Sequence, residues 1–267
     1  MDLPNEVIII IFGYCDLLDQ LNLRLVNKQL SYFLEYVQIN RQIEITNYDI
    51  GKFYFHLLTN IVIDDFLEEY PRRLSRLKFS DCFDEDIKGR IPNGITYLSF
   101  GWVFNKEIKG CIPDGVTHLS FGEYFDQDIK DCIPNDITHL TFSDNFDQDI
   151  KDCIPNGITH LTFGEMFDQD IKDCIPNGIT HLTFGNMFNQ DIKKCIPASV
   201  THLTFGFIFN RSIKDCIPTN VTHLTFGYRF DQDIRDCIPD SVTHLTLNKR
   251  YRNRVPATIA NIKFTKY

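Results

Sequence analysis

PNGITHLTF, residues 176–184, puts apolar side chains three, six and eight places after its proline: Ile179, Leu182 and Phe184. Its last four residues alternate, turning Leu182 and Phe184 to one side and His181 and Thr183 to the other, as a strand half-buried on one face requires. Thr and Phe favour that conformation. The frame recurs along most of the chain. Pro71, Pro92, Pro113, Pro134, Pro155, Pro176, Pro197, Pro218 and Pro239 are spaced by 21 without exception, and Pro256 follows after 17. Pro71 gives Leu74, Leu77 and Phe79, and Pro256 gives Ile259, Ile262 and Phe264, so ten units stay in register and the last is truncated. One such strand cannot bury its apolar face alone, whereas a stack of them encloses a continuous core.

A period in the twenties with the pattern L-x-x-L-x-L resembles the leucine-rich repeat. The expected fold is a solenoid of leucine-rich-repeat type. Its parallel β-sheet lines the concave face, and extended or one-turn segments form the convex face. Phe167, Ile171 and Ile175 fill the rest of the coil, and Pro176 suppresses a helix before the next strand. Gly164 is expected to let the chain leave the strand. Residues 38–70 lose the period, but QIEI (42–45) and NIVI (60–63) alternate like strands, so they are expected to be degenerate capping coils with a short helix around 53–58. The repeats proper run over 71–255 and a truncated cap over 256–267, since terminal units of a solenoid must present a polar outer face.

The chain has 267 residues, is 43% apolar and 13% aromatic, and carries a net charge of −9. That balance supports a packed core. It argues against nucleic acid or an anionic membrane as partner, because phosphate recognition needs clustered Lys and Arg. The basic cluster Lys249, Arg250, Arg252, Arg254, Lys263 and Lys266 suits a solvated cap. The opening MDLPNEVIIIIFGYC (1–15) bears Asp2 and Glu6 rather than Lys or Arg, unlike a secretion signal, and no apolar run approaches the roughly 20 residues that span a bilayer. A cytoplasmic location and nine free thiols are expected, an odd count that no closed disulfide framework accommodates.

Seven histidines (His118, His139, His160, His181, His202, His223, His244) and seven cysteines (Cys111, Cys132, Cys153, Cys174, Cys195, Cys216, Cys237) keep the 21-residue period. On the coil, His160 belongs to the strand face and Cys174 to the returning segment, so the core separates the two columns. A shared metal site, which needs four ligands around one ion, is therefore not expected. Neither is a cofactor. The histidines read as an exposed ladder and the cysteines as small packing residues. The recurring DQDIKD (168–173) varies to NQDIKK (189–194) and NRSIKD (210–215) and lacks a calcium loop's ligand count; a solvated, self-repelling face is the expectation. Every Ser, His and Asp that could do chemistry comes in near-identical copies, whereas an enzyme concentrates perturbed groups in one pocket. No catalytic site is expected.

The positions just after each strand do vary: Trp102-Val103, Glu123-Tyr124, Asp144-Asn145, Glu165-Met166, Asn186-Met187, Phe207-Ile208 and Tyr228-Arg229. They fall on the rim of the concave face. Trp102, Tyr124, Met166, Met187, Phe207, Tyr228 and Arg229 are of the types that anchor protein interfaces, and such large side chains also serve as packing between coils. Both readings stand at this point.

Residues 1–37 lie outside the repeat and read as two or three short amphipathic helices, the first starting near Pro4. Ile8, Ile9, Ile10 and Ile11 in a row cover more of a helix than a one-sided cap would bury. This segment resembles an F-box: Leu3-Pro4, Glu6, Ile11, Asp16, Leu21, Val26 and Lys28 fall on that motif, while Cys15 and Leu30 stand where it usually has Leu and Trp. The repeat resembles the FNIP repeat, a leucine-rich-repeat variant, through FNQDIKKCIP (188–197) and FNRSIKDCIP (209–218), with Asp for Asn in most other units. Together they are similar to F-box and FNIP-repeat proteins of giant amoeba-infecting viruses and social amoebae. The resemblance implies a non-catalytic adaptor. Its F-box would dock on a Skp1-type protein of a cullin–RING ubiquitin ligase through Leu3, Pro4, Ile11, Leu21 and Val26, and the repeats would present a target in the cytoplasm, the host's if the protein is viral. A plain interaction scaffold without a ligase is the alternative.

Overall fold

The computed structural model describes residues 43–45, 60–63, 65–67 and 70–266. The expected helices of residues 1–37, with Leu3, Pro4, Ile11, Leu21 and Val26, and the expected helix around 53–58 lie outside the described residues.

Twelve short strands follow one another: β1 (Ile43–Ile45), β2 (Asn60–Ile63), β3 (Arg76–Phe79), β4 (Tyr97–Ser99), β5 (His118–Ser120), β6 (His139–Thr141), β7 (His160–Thr162), β8 (His181–Thr183), β9 (His202–Thr204), β10 (His223–Thr225), β11 (His244–Asn248) and β12 (Asn261–Thr265). They form one sheet in sequence order, each pairing with the next in parallel. Leu161 stands beside Leu182, and Leu182 beside Leu203. The strands of 42–45 and 60–63 join this sheet as β1 and β2, paired Ile43 with Ile61. Between β3 and β12 the chain returns in turns and extended segments without a helix.

A central coil closes around seven buried side chains. In the coil of β7 these are Ile158, Leu161, Phe163, Phe167, Ile171, Cys174 and Ile175, the last two at 7% and 9% exposure and the others at 2% or less. The phenylalanines make two stacked columns: Phe163 lies 4.0 Å from Phe167 within its coil and 5.6 Å from Phe184 in the next, and Phe167 lies 6.2 Å from Phe188. Fully burying one such ring contributes about 2–3 kcal/mol.

Ring spacing also shows the bend. Successive histidines on the strand face are 4.2 Å apart, the first phenylalanine column is spaced at 5.6 Å and the second, deeper one at 6.2 Å. Parallel strands themselves sit about 4.8 Å apart. Each coil is therefore a wedge with its thin edge on the sheet, and the sheet is the concave face. Ring planes tilt by 12° between His160 and His181 and by 8° between Phe167 and Phe188.

The glycine after each strand has a different cause from the one expected. A Cβ on Gly164 would lie 1.7 Å from the Ser143 carbonyl oxygen, and one on Gly185 would lie 1.7 Å from that of Gly164. Where glycine stands here, the previous coil's backbone passes through the space of a side chain; Ser80 and Ser143 hold the same column in two other coils. Where Ser143 occupies the column it is buried, and its hydroxyl donates to the Phe125 carbonyl.

The acidic back of the coil also departs from expectation. It is a set of structural caps rather than a merely solvated face. The Asp168 carboxylate accepts the backbone N–H of Asn189 at 2.8 Å, and Asn189 accepts that of Asn210 at 3.0 Å. This ladder runs from Asp84 to Asp231 and explains why the residue after each second phenylalanine is Asp or Asn: either provides the same acceptor. The next acid, Asp170, accepts from the N–H of Lys172 at 2.9 Å, closing a local turn. The third, Asp173, sits at φ 60°, as do its counterparts from Asp131 to Asp236, while the same column holds glycine at Gly89 and Gly110. Asp tolerates the left-handed region better than most residues.

Candidate interaction surface

Threonine positions the histidine ladder. The hydroxyl of Thr159 donates to the Thr138 carbonyl at 3.1 Å, and the same oxygen lies 2.9 Å from His160 Nδ1. A hydroxyl has one hydrogen; given to that carbonyl, it leaves Nδ1 as the donor to Oγ1. The arrangement repeats at all seven histidines, from Thr117–His118 to Thr243–His244. Every ring is thereby held by the same pair of contacts, and the Nε2 atoms form a single file with no hydrogen-bond partner among the described residues.

The rings are half-buried rather than freely exposed, His244 alone being open. Burial, and then the neighbouring imidazoles, hold the proton affinity of His118, His160, His202 and His223 below the ordinary value. Tyr97 continues the stack beyond His118 at 5.9 Å, and the Arg76 guanidinium lies over Tyr97 at 4.7 Å. Because the rings are parallel, neighbouring Nε2 lone pairs point side by side. They cannot converge on one ion at the roughly 2.0–2.1 Å that zinc requires.

The cysteines line the opposite side, buried from Cys111 to Cys216, with Cys237 partly so. Cys174 Sγ donates to the carbonyls of Lys172 at 3.2 Å and Asp170 at 3.7 Å. Burial first, and then the carboxylates of Asp128 and Asp149, push the Cys153 thiol up to about 11; burial, Asp149 and Asp170 do the same to Cys174. These are packing thiols, the reverse of activated nucleophiles. The hollow lined by Asp128, Lys130, Asp149, Lys151 and Cys153 is a shallow polar groove of the back face.

The variable residues of the rim are largely open to solvent. Trp102 (59% exposed), Tyr124 (49%), Met166 (48%), Met187 (40%) and Phe207 (39%) stand out from the surface, and at one end of the rim they also pack from coil to coil. Arg229 is exposed too, and Tyr228 half-buried. Phe207 stacks on Tyr228 at 4.9 Å, with Arg250 over Tyr228 at 4.8 Å and Arg229 over Phe207 at 5.7 Å. These side chains rise from ordered backbone. The Met166 N–H donates to the Asp144 carbonyl at 2.7 Å, Met187 to Glu165 at 2.8 Å and Arg229 to Phe207 at 2.9 Å.

The register adds residues that the variable pairs alone did not reveal. Lys249 and Arg250 complete the two rim columns. After Trp102 the first column then runs Glu123, Asp144, Glu165, Asn186, Phe207, Tyr228, Lys249, from acidic through apolar to basic. The signal was present in the order of the pairs but gains meaning only once successive coils are neighbours.

FNIP-repeat models match residues 83–124, 104–145, 125–166, 167–207 and 209–250, and an F-box model matches residues 1–42. Among curated proteins no sequence matches the chain. Among solved structures it is similar to CroV588, a circular leucine-rich-repeat protein of a giant virus, at 38% identity and a TM-score of 0.71. The match covers 84% of this chain and 35% of that one, so the chain spans about a third of the length of its solved relative. With FNIP-repeat matches over most of its coils and an F-box match ahead of them, the chain belongs to the F-box and FNIP-repeat proteins.

Proposed function

We propose that the protein is the substrate-receptor subunit of an SCF-type, cullin–RING ubiquitin ligase. Residues 1–37 dock on a Skp1-type adaptor through Leu3, Pro4, Ile11, Leu21 and Val26, and the solenoid holds a target protein. The observation that carries this reading is the pairing of an F-box match at residues 1–42 with a rim of exposed large side chains. The protein catalyses nothing itself. It raises the effective concentration of target near the ligase. It works in the cytoplasm, the host's if the protein is viral. Trp102, Tyr124, Met166, Met187, Phe207, Tyr228 and Arg229 are the proposed target contacts. Their backbone is ordered before binding, which lowers the entropy cost of association.

Capture on immobilised Skp1 tests the adaptor role. The full chain should bind with micromolar affinity or better, and Ile11→Asp should abolish capture while the circular dichroism of the solenoid stays unchanged. Absence of capture by the unaltered chain would leave a stand-alone protein-binding scaffold.

A further inference from the structure

The strand face is unlike the rest of the molecule in charge. From β3 to β12 its outward positions are Arg76, Lys78, Tyr97, Ser99, seven histidines each followed two places on by Ser or Thr, Asn261 and Lys263. No carboxylate stands among them, in a chain with 36 acidic residues and a net charge of −9. At the far end Glu44 of β1 shares the register of Lys78 through Val62. The acids nearest the ladder flank it in sequence: Asp114, Asp136 and Asp240 enter the strands, and Glu123, Asp144 and Glu165 leave them, together with Arg229, Lys249 and Arg250.

We propose that the histidine ladder is a proton-coupled docking track for an extended, acidic segment of a partner protein. The inference rests on the reading of the solenoid as a protein-binding receptor. With Nδ1–H given to threonine, a neutral ring presents only an Nε2 acceptor, which offers nothing to a carboxylate. A proton taken up on Nε2 turns that atom into a charged donor without disturbing the Nδ1–H bond to threonine that holds the ring. The track is thus already oriented, and protonation alone arms it.

Sparse charge selects the partner. Stacked rings 4.1–4.2 Å apart repel when adjacent rings are both charged, by about 1 kcal/mol even in water. Protons therefore favour alternate rings, His118, His160, His202 and His244, or His139, His181 and His223. Alternate rings lie roughly 8–9 Å apart, wider than the roughly 6.6–6.8 Å between same-side residues of an extended peptide. The match is therefore one of sparse charge bridged by flexible Glu side chains and not of strict register. Nucleic acid, with one charge per about 1.7 Å of duplex, would exceed this sparse charge and meet the acids on both flanks. Binding should raise the proton affinity of the rings it covers, so affinity climbs as pH falls.

Fluorescence anisotropy of the full chain with a fluorescein-labelled (Glu)12 peptide tests this, at pH 7.5 and 6.0 and in 50 mM and 300 mM salt. The expected result is at least tenfold tighter binding at pH 6.0, weakened by salt. Binding should be lost when His160, His181, His202 and His223 are replaced by Asn, the residue that Asn261 already places in this column. Equal affinity at the two pH values, or unchanged binding by the folded Asn variant, would overturn the proposal. So would a preference for inorganic polyphosphate over the peptide. Should the Asn variant not fold, calorimetry of the unaltered chain at pH 6.5 in phosphate and in Tris decides: net proton uptake on binding is required, and none overturns it. Skp1 capture is read separately. Lost capture with intact peptide binding indicts the adaptor reading, and the reverse pattern indicts this one.

Discussion

At the scale of the residue, several recurring letters have causes that a single coil does not reveal. Lys194 takes the left-handed conformation at φ 62° where Gly89 and Gly110 do so without a Cβ. For a residue like lysine this costs roughly 1–2 kcal/mol. Lys194→Gly should therefore stabilise the protein by about 1 kcal/mol, part of the relief being offset by glycine's larger unfolded-state entropy, as urea denaturation would measure. The same substitution logic inverts at Gly164, whose φ is ordinary but whose Cβ would sit 1.7 Å from the Ser143 carbonyl oxygen. Gly164→Ala should cost more than about 2 kcal/mol, since backbone must move to admit it. A glycine column in the sequence announces both positions alike. Only the path of the neighbouring chain separates conformational freedom from lack of room.

At the scale of the element, the strand and its threonine–histidine ladder respond to pH as a unit. Histidines whose proton affinity is lowered by folding bind protons more readily in the unfolded chain. Their contribution is present above the ordinary value of 6.5 and is lost as pH falls below it. The cysteine column behaves in the opposite sense at the other end of the scale. Cys153 and Cys174 keep their protons in the folded state up to about 11 against an ordinary 9.0, so their contribution is intact below 9 and disappears as pH rises towards 11. Thermal unfolding followed by circular dichroism should show a melting temperature that is highest between about pH 7 and 9 and declines on both sides. A thiol reagent at pH 8 should label exposed Cys82 quickly and the buried column from Cys111 to Cys216 slowly, as mass spectrometry of quenched samples would report. The alternation in THLTF, and so the strand, was legible in the sequence because period two is a local property. The anchoring of the histidine rings by threonine was not, because it depends on a carbonyl one coil earlier.

At the scale of the whole molecule, stability and recognition occupy different side chains. Coils are coupled to their nearest neighbours through the phenylalanine columns, and a solenoid's stability is close to a sum of such interfaces. Phe167→Ala should cost about 3–5 kcal/mol, whereas Met166→Ser, its exposed neighbour, should change stability by less than about 0.5 kcal/mol. Paired denaturation curves would verify the contrast. The bend follows from the same division. Small threonines and flat imidazoles on the strand face, against two layers of phenylalanine behind it, make each coil thinner in front than at the back.

The sequence alone determined the period, the parallel order of the strands, the inward apolar set and the separation of the histidine and cysteine columns. These are consequences of which residues recur and with what spacing, and a 21-residue repeat with three fixed apolar positions leaves little else for the chain to do. Tertiary structure alone decided the curvature, the reason for each glycine, the capping roles of the aspartates and the exposure of the rim. Each of these arises between coils, where residue i meets residue i + 21, and the physics of that contact lies in distances that no single repeat contains.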